Sequence, residues 1–133
     1  MQPVTVNPAD FRYSKFHEWA KAEGSLVILG ITDHAQESLG DIVFVELPEA
    51  GETIRAGEPY GTAESVKAVS DIISSINGKV IAINESVQDA PDLLNRDPYG
   101  EGWLIKVEAE DLSPLASMMT SSEYEAFIAE EKK

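Results

Sequence analysis

Few side chains in this sequence can do chemistry, and Lys67 stands first among them. It lies in Tyr60-Gly61-Thr62-Ala63-Glu64-Ser65-Val66-Lys67-Ala68-Val69-Ser70-Asp71-Ile72-Ile73, two strand-like runs that read as a hairpin. A two-residue turn at Val66-Lys67 pairs Ser65 with Ala68, Glu64 with Val69 and Thr62 with Asp71. Side chains alternate along strands, so Glu64 and Asp71 share one face. The turn is unusual. Tight hairpins favour Asn-Gly or Gly-X because those residues accept φ > 0, and Val-Lys offers neither. An open lysine keeps a pKa of ~10.4, stays protonated at neutral pH and makes a poor general base. Two uses remain for it: a solvated turn lysine, or an amine acylated with a prosthetic group. A hairpin tip suits the second use, because a modifying enzyme and later active sites must all reach it.

Other chemistry is scarce. The 133 residues include no cysteine, which removes a thiol nucleophile, a thiolate metal site and a redox disulfide. His17 and His34 stand seventeen positions apart without Cys partners, so no metal site and no catalytic role is assigned to them. There is no catalytic triad and no Gly-rich phosphate loop. The chain carries 24 acidic and 10 basic residues, a net charge of −14. Such a surface repels phosphate backbones and anionic membranes, so neither nucleic acid nor membrane is expected as a partner. The same charge suits long-range attraction to basic surfaces.

These residues need a scaffold to position them. With 43% hydrophobic and 26% charged residues the chain is a folding sequence, long enough for one core. No apolar run approaches the ~18 residues of a membrane span. Met1-Gln2-Pro3-Val4 opens no secretory leader, so a cytoplasmic, bacterial-type location is expected, or the mitochondrial matrix had a transit peptide been removed. Leu26–Leu29, Ile42–Val45, Val80–Ile83 and Trp103–Val107 have strand length and β-branched or aromatic character, with turn residues between them. Two or three short helices are expected. Asp33 with Gln36 reads as a capping box, closed by Gly40; Ser113-Pro114 reads as an N-cap with Pro at the first position; Ser122 with Glu125 reads as a second capping box. Tyr124, Phe127 and Ile128 then form a helical stripe that packs onto the sheets. A faint repeat relates Gly40–Val45 to Gly78–Ile83, each followed by a similar segment, Gly51–Ile54 and Asn84–Val87. It implies two β half-units joined by the Lys67 hairpin, with chance similarity of β sequence as the alternative. One domain is expected over 1–133, with a core over about 11–108 and a helical segment over about 112–131.

Glu64-Ser65-Val66-Lys67-Ala68 resembles the lipoyl-attachment motif of the glycine cleavage system H proteins. His17-Glu18-Trp19, Gly30–Gln36, Leu39–Pro48, Gly78, Val80, Asn84, Leu94-Asn95, Asp97-Pro98-Tyr99 and Gly102–Lys106 follow that family's pattern in order, from about residue 11 to 131. Biotinyl domains usually flank their lysine with methionines, and lipoyl domains of 2-oxoacid dehydrogenases usually place Asp before it. Here Val66 and Ala68 stand in those places. One departure is Ser74-Ser75-Ile76-Asn77, where the family often has Pro, and it is expected to alter turn rigidity locally.

The resemblance implies a mainly β fold, a compact sandwich or barrel-like hybrid of the biotinyl/lipoyl-carrier type with a short internal helix and C-terminal helices. It implies a monomeric carrier and not an enzyme, with lipoate attached to Lys67. The arm takes an aminomethyl group from a pyridoxal-phosphate glycine decarboxylase and delivers it to a tetrahydrofolate-dependent aminomethyltransferase. It is then reoxidised by dihydrolipoamide dehydrogenase. A lipoate ligase or a lipoyl/octanoyl transferase installs it. Glu64 is read as a recognition element for that modifying enzyme. Asp71 and Glu18 are read as carboxylates that hold the loaded arm's cationic amine by charge-assisted hydrogen bonds, with a solvated surface role as the alternative. A lipoyl donor in a relay to other lipoyl domains, and an unmodified acidic β-scaffold that binds a partner, stand beside this reading.

Overall fold

The computed structural model describes residues 11–131; the reading of Met1–Val4 lies outside them. Fourteen elements follow one another among the described residues. They are β1 (Arg12–Tyr13), β2 (Glu18–Glu23), β3 (Leu26–Ile31), α1 (Asp33–Leu39), β4 (Ile42–Glu46), β5 (Thr53–Ile54), β6 (Pro59–Ser65), β7 (Val69–Ile73), β8 (Gly78–Ile83), α2 (Glu85–Asp89), α3 (Leu93–Arg96), β9 (Ile105–Ala109), α4 (Ser113–Ser117) and α5 (Ser121–Glu131). Two antiparallel sheets result, ordered β1-β2-β3-β9-β8-β5 and β4-β6-β7, and neither closes into a barrel. Both contribute to one apolar core: Val27 and Leu29 from β3, Val80 and Val107 from the same sheet, and Val45, Ala63 and Ile72 from the smaller one. No helix among the described residues is long and apolar enough to cross a membrane.

The continuous apolar run of β3 has a structural cause. Val27 and Leu29 face the shared core, while Ile28 faces a second cluster with Phe11, Tyr13, Trp19 and Tyr124. A strand buried on both faces has no polar side to alternate with. In the second cluster Trp19 lies over its cross-strand partner Gly30, where any Cβ would come within 2.5 Å of the indole. The indole N–H donates to Pro98 O at 2.9 Å, so the ring has little freedom to retreat. The Tyr124 stripe packs on this layer as expected, its ring stacked on Tyr13 with centroids 4.8 Å apart.

The expected β-repeat has a geometric counterpart in its first segments. Pairing slips between Ile42 and Phe44 in β4, and between Val80 and Ala82 in β8, which are corresponding positions of the two segments. The likeness ends there: Thr53–Ile54 forms β5, whereas Asn84 starts α2 by accepting from Ser86 N.

The helix starts need small corrections. Thr32, not Asp33, caps α1, its hydroxyl accepting from Ala35 N, while the Asp33 carboxylate accepts from the Gln36 side chain. Asp111 supplies the acceptor for Ser113 N at α4. The last capping box is Thr120 with Glu123, two residues before the expected pair. Runs such as Thr32-Asp33 and Thr120-Ser121-Ser122 hold several capping side chains in succession, and local pattern does not choose among them.

Gly30→Ala is expected to lower stability by about 1–3 kcal/mol, because the methyl must displace Trp19. Urea unfolding checks this, and an unchanged midpoint would mean that the indole shifts without cost.

Candidate functional site

The hairpin has the register the sequence predicts: Glu64 opposite Val69, Ala63 opposite Ser70 and Thr62 opposite Asp71. Its tight turn needs no glycine because Ser65 replaces backbone freedom with a side-chain acceptor. The buried Ser65 hydroxyl accepts from Lys67 N at 3.2 Å and from Ala68 N at 3.1 Å, and Ser65 N donates to Ala68 O at 2.7 Å. Among the described non-glycine residues only His17 has positive φ, so Val66 and Lys67 keep ordinary backbone angles. This is a serine turn: a short hydroxyl stands in for a backbone acceptor.

The turn is braced from behind. Val66 N donates to Asp41 O at 3.2 Å. The residues on either side of Asp41 are fixed by Asn95, whose Oδ1 accepts from Ile42 N and whose Nδ2 donates to Gly40 O and to Gln36 Oε1. Gly40 ends α1 at φ +83° and leaves a bare surface against which the Lys67 side chain lies; a Cβ there would stand 3.4 Å from Lys67 Cε. Lys67 is exposed, as are the large apolar residues Val66 and Val69 of the hairpin and Val43 and Phe44 of the neighbouring strand β4.

Glu18 departs from its alternative surface reading. It is 1% exposed, and its Oε1 accepts from Ser75 N at 3.0 Å and Ser75 Oγ at 2.7 Å. Burial pushes its carboxyl up to about 8, opposed by the Ser75 bonds and by the nearby Tyr60 hydroxyl. Tyr60 lies close enough to influence the carboxyl, yet neither its hydroxyl nor Glu18 Oε2 makes a hydrogen bond of good geometry. Glu18 and Asp71 both line a cavity of about 30 Å³, with Ile31, Ala35 and Leu39 among its apolar walls. A groove of about 340 Å³ shares Phe16, His17, Ala35, Leu39 and Ser70 with it. Glu64 is exposed and is not among the residues lining that cavity. The Ser74–Asn77 departure is held by serines: Ser74 Oγ donates to Ile76 O and accepts from Ile76 N, and Ser75 secures Glu18.

The histidines are not apart in space. His17 precedes β2 and has φ 66°. Its ring centroid is 4.6 Å from that of His34, and its Nε2 is 3.0 Å from Glu131 Oε1. His34 Nε2 is 3.8 Å from the same oxygen. Burial holds the His17 pKa below its usual value, and His34 adds to this while Glu131 opposes it. Ser65, Ser75, Asn95 and Glu131 were not singled out from sequence. Ser65 carried a readable signal, a serine two and three residues before the amides it binds; Glu131 carried none, since its partners lie about a hundred residues away.

Against known proteins, a family model described as Glycine cleavage H-protein matches residues 11–131. The chain is 49% identical over 128 residues to the Glycine cleavage system H protein of Carboxydothermus hydrogenoformans, covering 96% of this chain and 98% of that one. It is 52% identical over 124 residues to the protein of that name from Bacillus licheniformis, covering 93% and 98%. The crystal structure of a glycine cleavage system H protein from Mycobacterium marinum matches with a TM-score of 0.82 at 42% identity, covering 90% of this chain and 96% of that one.

The buried carboxyl has a pH signature. Folded Glu18 keeps its proton up to about pH 8, whereas the unfolded chain loses it near 4.5, so rising pH between these values favours unfolding. The cost reaches roughly 3 kcal/mol by pH 7. Glu18→Gln keeps an acceptor for Ser75 and cannot ionise, so its stability relative to wild type should improve steadily from pH 4.5 to 8. Denaturant titrations across that range check it; a pH-independent difference would mean that Glu18 ionises normally.

Proposed function

The chain belongs to the glycine cleavage H-protein family, and from that premise we propose that it carries a lipoyl group in amide linkage to Lys67. The observation that carries this reading is the serine-locked turn, which holds an exposed lysine at a hairpin tip where it is open to acylation. The surroundings fit the group. An aliphatic arm needs apolar walls and room: the groove of about 340 Å³ has Phe16, Ala35 and Leu39 on its walls, and the cavity of about 30 Å³ that Glu18 and Asp71 share with those residues has space for the arm's end group only. When bound, the lipoyl group supplies a reducible disulfide able to bear an aminomethyl group.

The chain's own residues then have distinct tasks. Lys67 provides the amide nitrogen. Ser65 fixes the direction in which the lysine leaves the sheet. Glu64, exposed beside the turn, is a recognition point for the lipoate ligase or lipoyl/octanoyl transferase. Glu18 and Asp71 receive the cationic amine at the end of a loaded arm: Asp71 directly, and Glu18, which is neutral without the arm, by giving up its proton when the cation arrives beside its unpartnered oxygen. The exposed apolar side chains near Lys67 and the net charge of −14 suit transient docking to several enzymes. Those partners are the pyridoxal-phosphate glycine decarboxylase, the tetrahydrofolate-dependent aminomethyltransferase and dihydrolipoamide dehydrogenase.

Peptide mass analysis of protein made in lipoate-replete cells should find one lipoyl adduct, on the Lys67 peptide, and none in Lys67→Arg. Reconstitution with the three partner enzymes should give glycine cleavage for wild type only; activity in Lys67→Arg would overturn the proposal. Ser65→Ala removes all three hydrogen bonds of the hydroxyl at the turn, two accepted from Lys67 N and Ala68 N and one donated to Ala68 O, and is expected to cost about 1–2 kcal/mol. It should also slow lipoylation several-fold, read as initial rates with purified ligase.

A further inference from the structure

The histidine pair that sequence spacing gives no reason to join forms a compact donor set with the end of the last helix. The geometry points to a binding site for a first-row divalent transition ion of the Zn²⁺ kind, made by His17, His34 and Glu131. One ligand atom from each residue lies within 4.8 Å of the other two. Glu131 Oε1 is 3.0 Å from His17 Nε2 and 3.8 Å from His34 Nε2. Ligand atoms around a tetrahedral Zn²⁺ with bonds of about 2.0–2.1 Å stand about 3.4 Å apart, so small side-chain adjustments bring these three into range.

The donors come from three separate elements, which makes the site a tertiary feature. His17 is the most firmly placed. Its backbone N–H donates to Ser14 O and its carbonyl accepts from Thr32 N, which holds the residue at positive φ. Its Nδ1 lies 2.7 Å from the Tyr124 hydroxyl, itself 2.7 Å from Thr32 Oγ1. With Nδ1–H donating to Tyr124 and Tyr124 donating to Thr32, Nε2 turns its lone pair toward Glu131 and His34. Metal-binding histidines are oriented by this kind of outer hydrogen bond. The three residues also line the open groove of about 340 Å³, which leaves room for water or another ligand to complete the coordination. Two imidazoles and one carboxylate suit Zn²⁺, Co²⁺, Ni²⁺ or Cu²⁺ and not the oxygen-seeking Ca²⁺ or Mg²⁺. The net charge of −14 enriches cations near the surface, so selectivity has to be part of the test.

The full chain is titrated with ZnCl₂ by calorimetry in about 0.15 M salt, which screens the general surface field. The expected result is one ion per chain, with His34→Asn and Glu131→Gln each weakening binding about tenfold or more. Glu131→Gln lies at an exposed helix end and is the variant least able to disturb folding. Co²⁺ should broaden the ring signals of His17 and His34 in NMR before those of other residues. Equal Zn²⁺ affinity in wild type and Glu131→Gln, displacement of Zn²⁺ by tenfold excess Mg²⁺, or no binding at all would overturn the site. The last outcome would leave these groups as an ion pair alone.

Discussion

The placement of Lys67 depends on one hydroxyl. A two-residue turn between twisted strands ordinarily asks for positive φ, and β-branched Val66 is among the residues least suited to it. Ser65 removes the demand by accepting from the two amides that follow it, so a long cationic side chain is displayed with no glycine beside it. The bracing behind the turn extends this control into the domain. Asn95 fixes Gly40 and Ile42, Asp41 between them holds Val66, and Gly40 offers the lysine a surface without a side chain.

The second organising feature is the two-faced strand β3. One face closes the core between the sheets, and the other supports the aromatic layer of Phe11, Tyr13, Trp19 and Tyr124. That layer meets the candidate groove through Tyr124, whose hydroxyl is shared between Thr32 and His17. The orientation of His17 in the groove is therefore tied to the packing of the aromatic layer. Glu18 and Trp19 are neighbours in sequence with opposite duties: Trp19 anchors the aromatic layer, and Glu18 is turned into the narrow cavity.

Short-range periodicity made the main strands and the hairpin register legible, because alternation along β6 and β7 leaves one pairing that buries Ala63 and Ile72. Helix starts were legible to within one or two residues, since several capping side chains stand together. The short helix α2 escaped because a β-like segment gave way to a local cap from Asn84, and α3 because no side-chain cap marks its start. Burial of Glu18 escaped for a different reason. Its partners Ser75 and Tyr60 lie on other segments, and nothing in His17-Glu18-Trp19 announces them. The cluster of His17, His34 and Glu131 is likewise a product of folding, with no spacing to betray it.

The clasp between the two ends of the described chain has a temporal meaning. Tyr13 and Met119 exchange backbone hydrogen bonds, and Tyr13 stacks on Tyr124. During synthesis β1 emerges before the segment that covers it, so Tyr13 waits through about a hundred residues of translation before it is enclosed. Contacts of such separation form late, after their loop has been closed. A chain cut short before α5 would thus have its core strands present and one aromatic face still open to water.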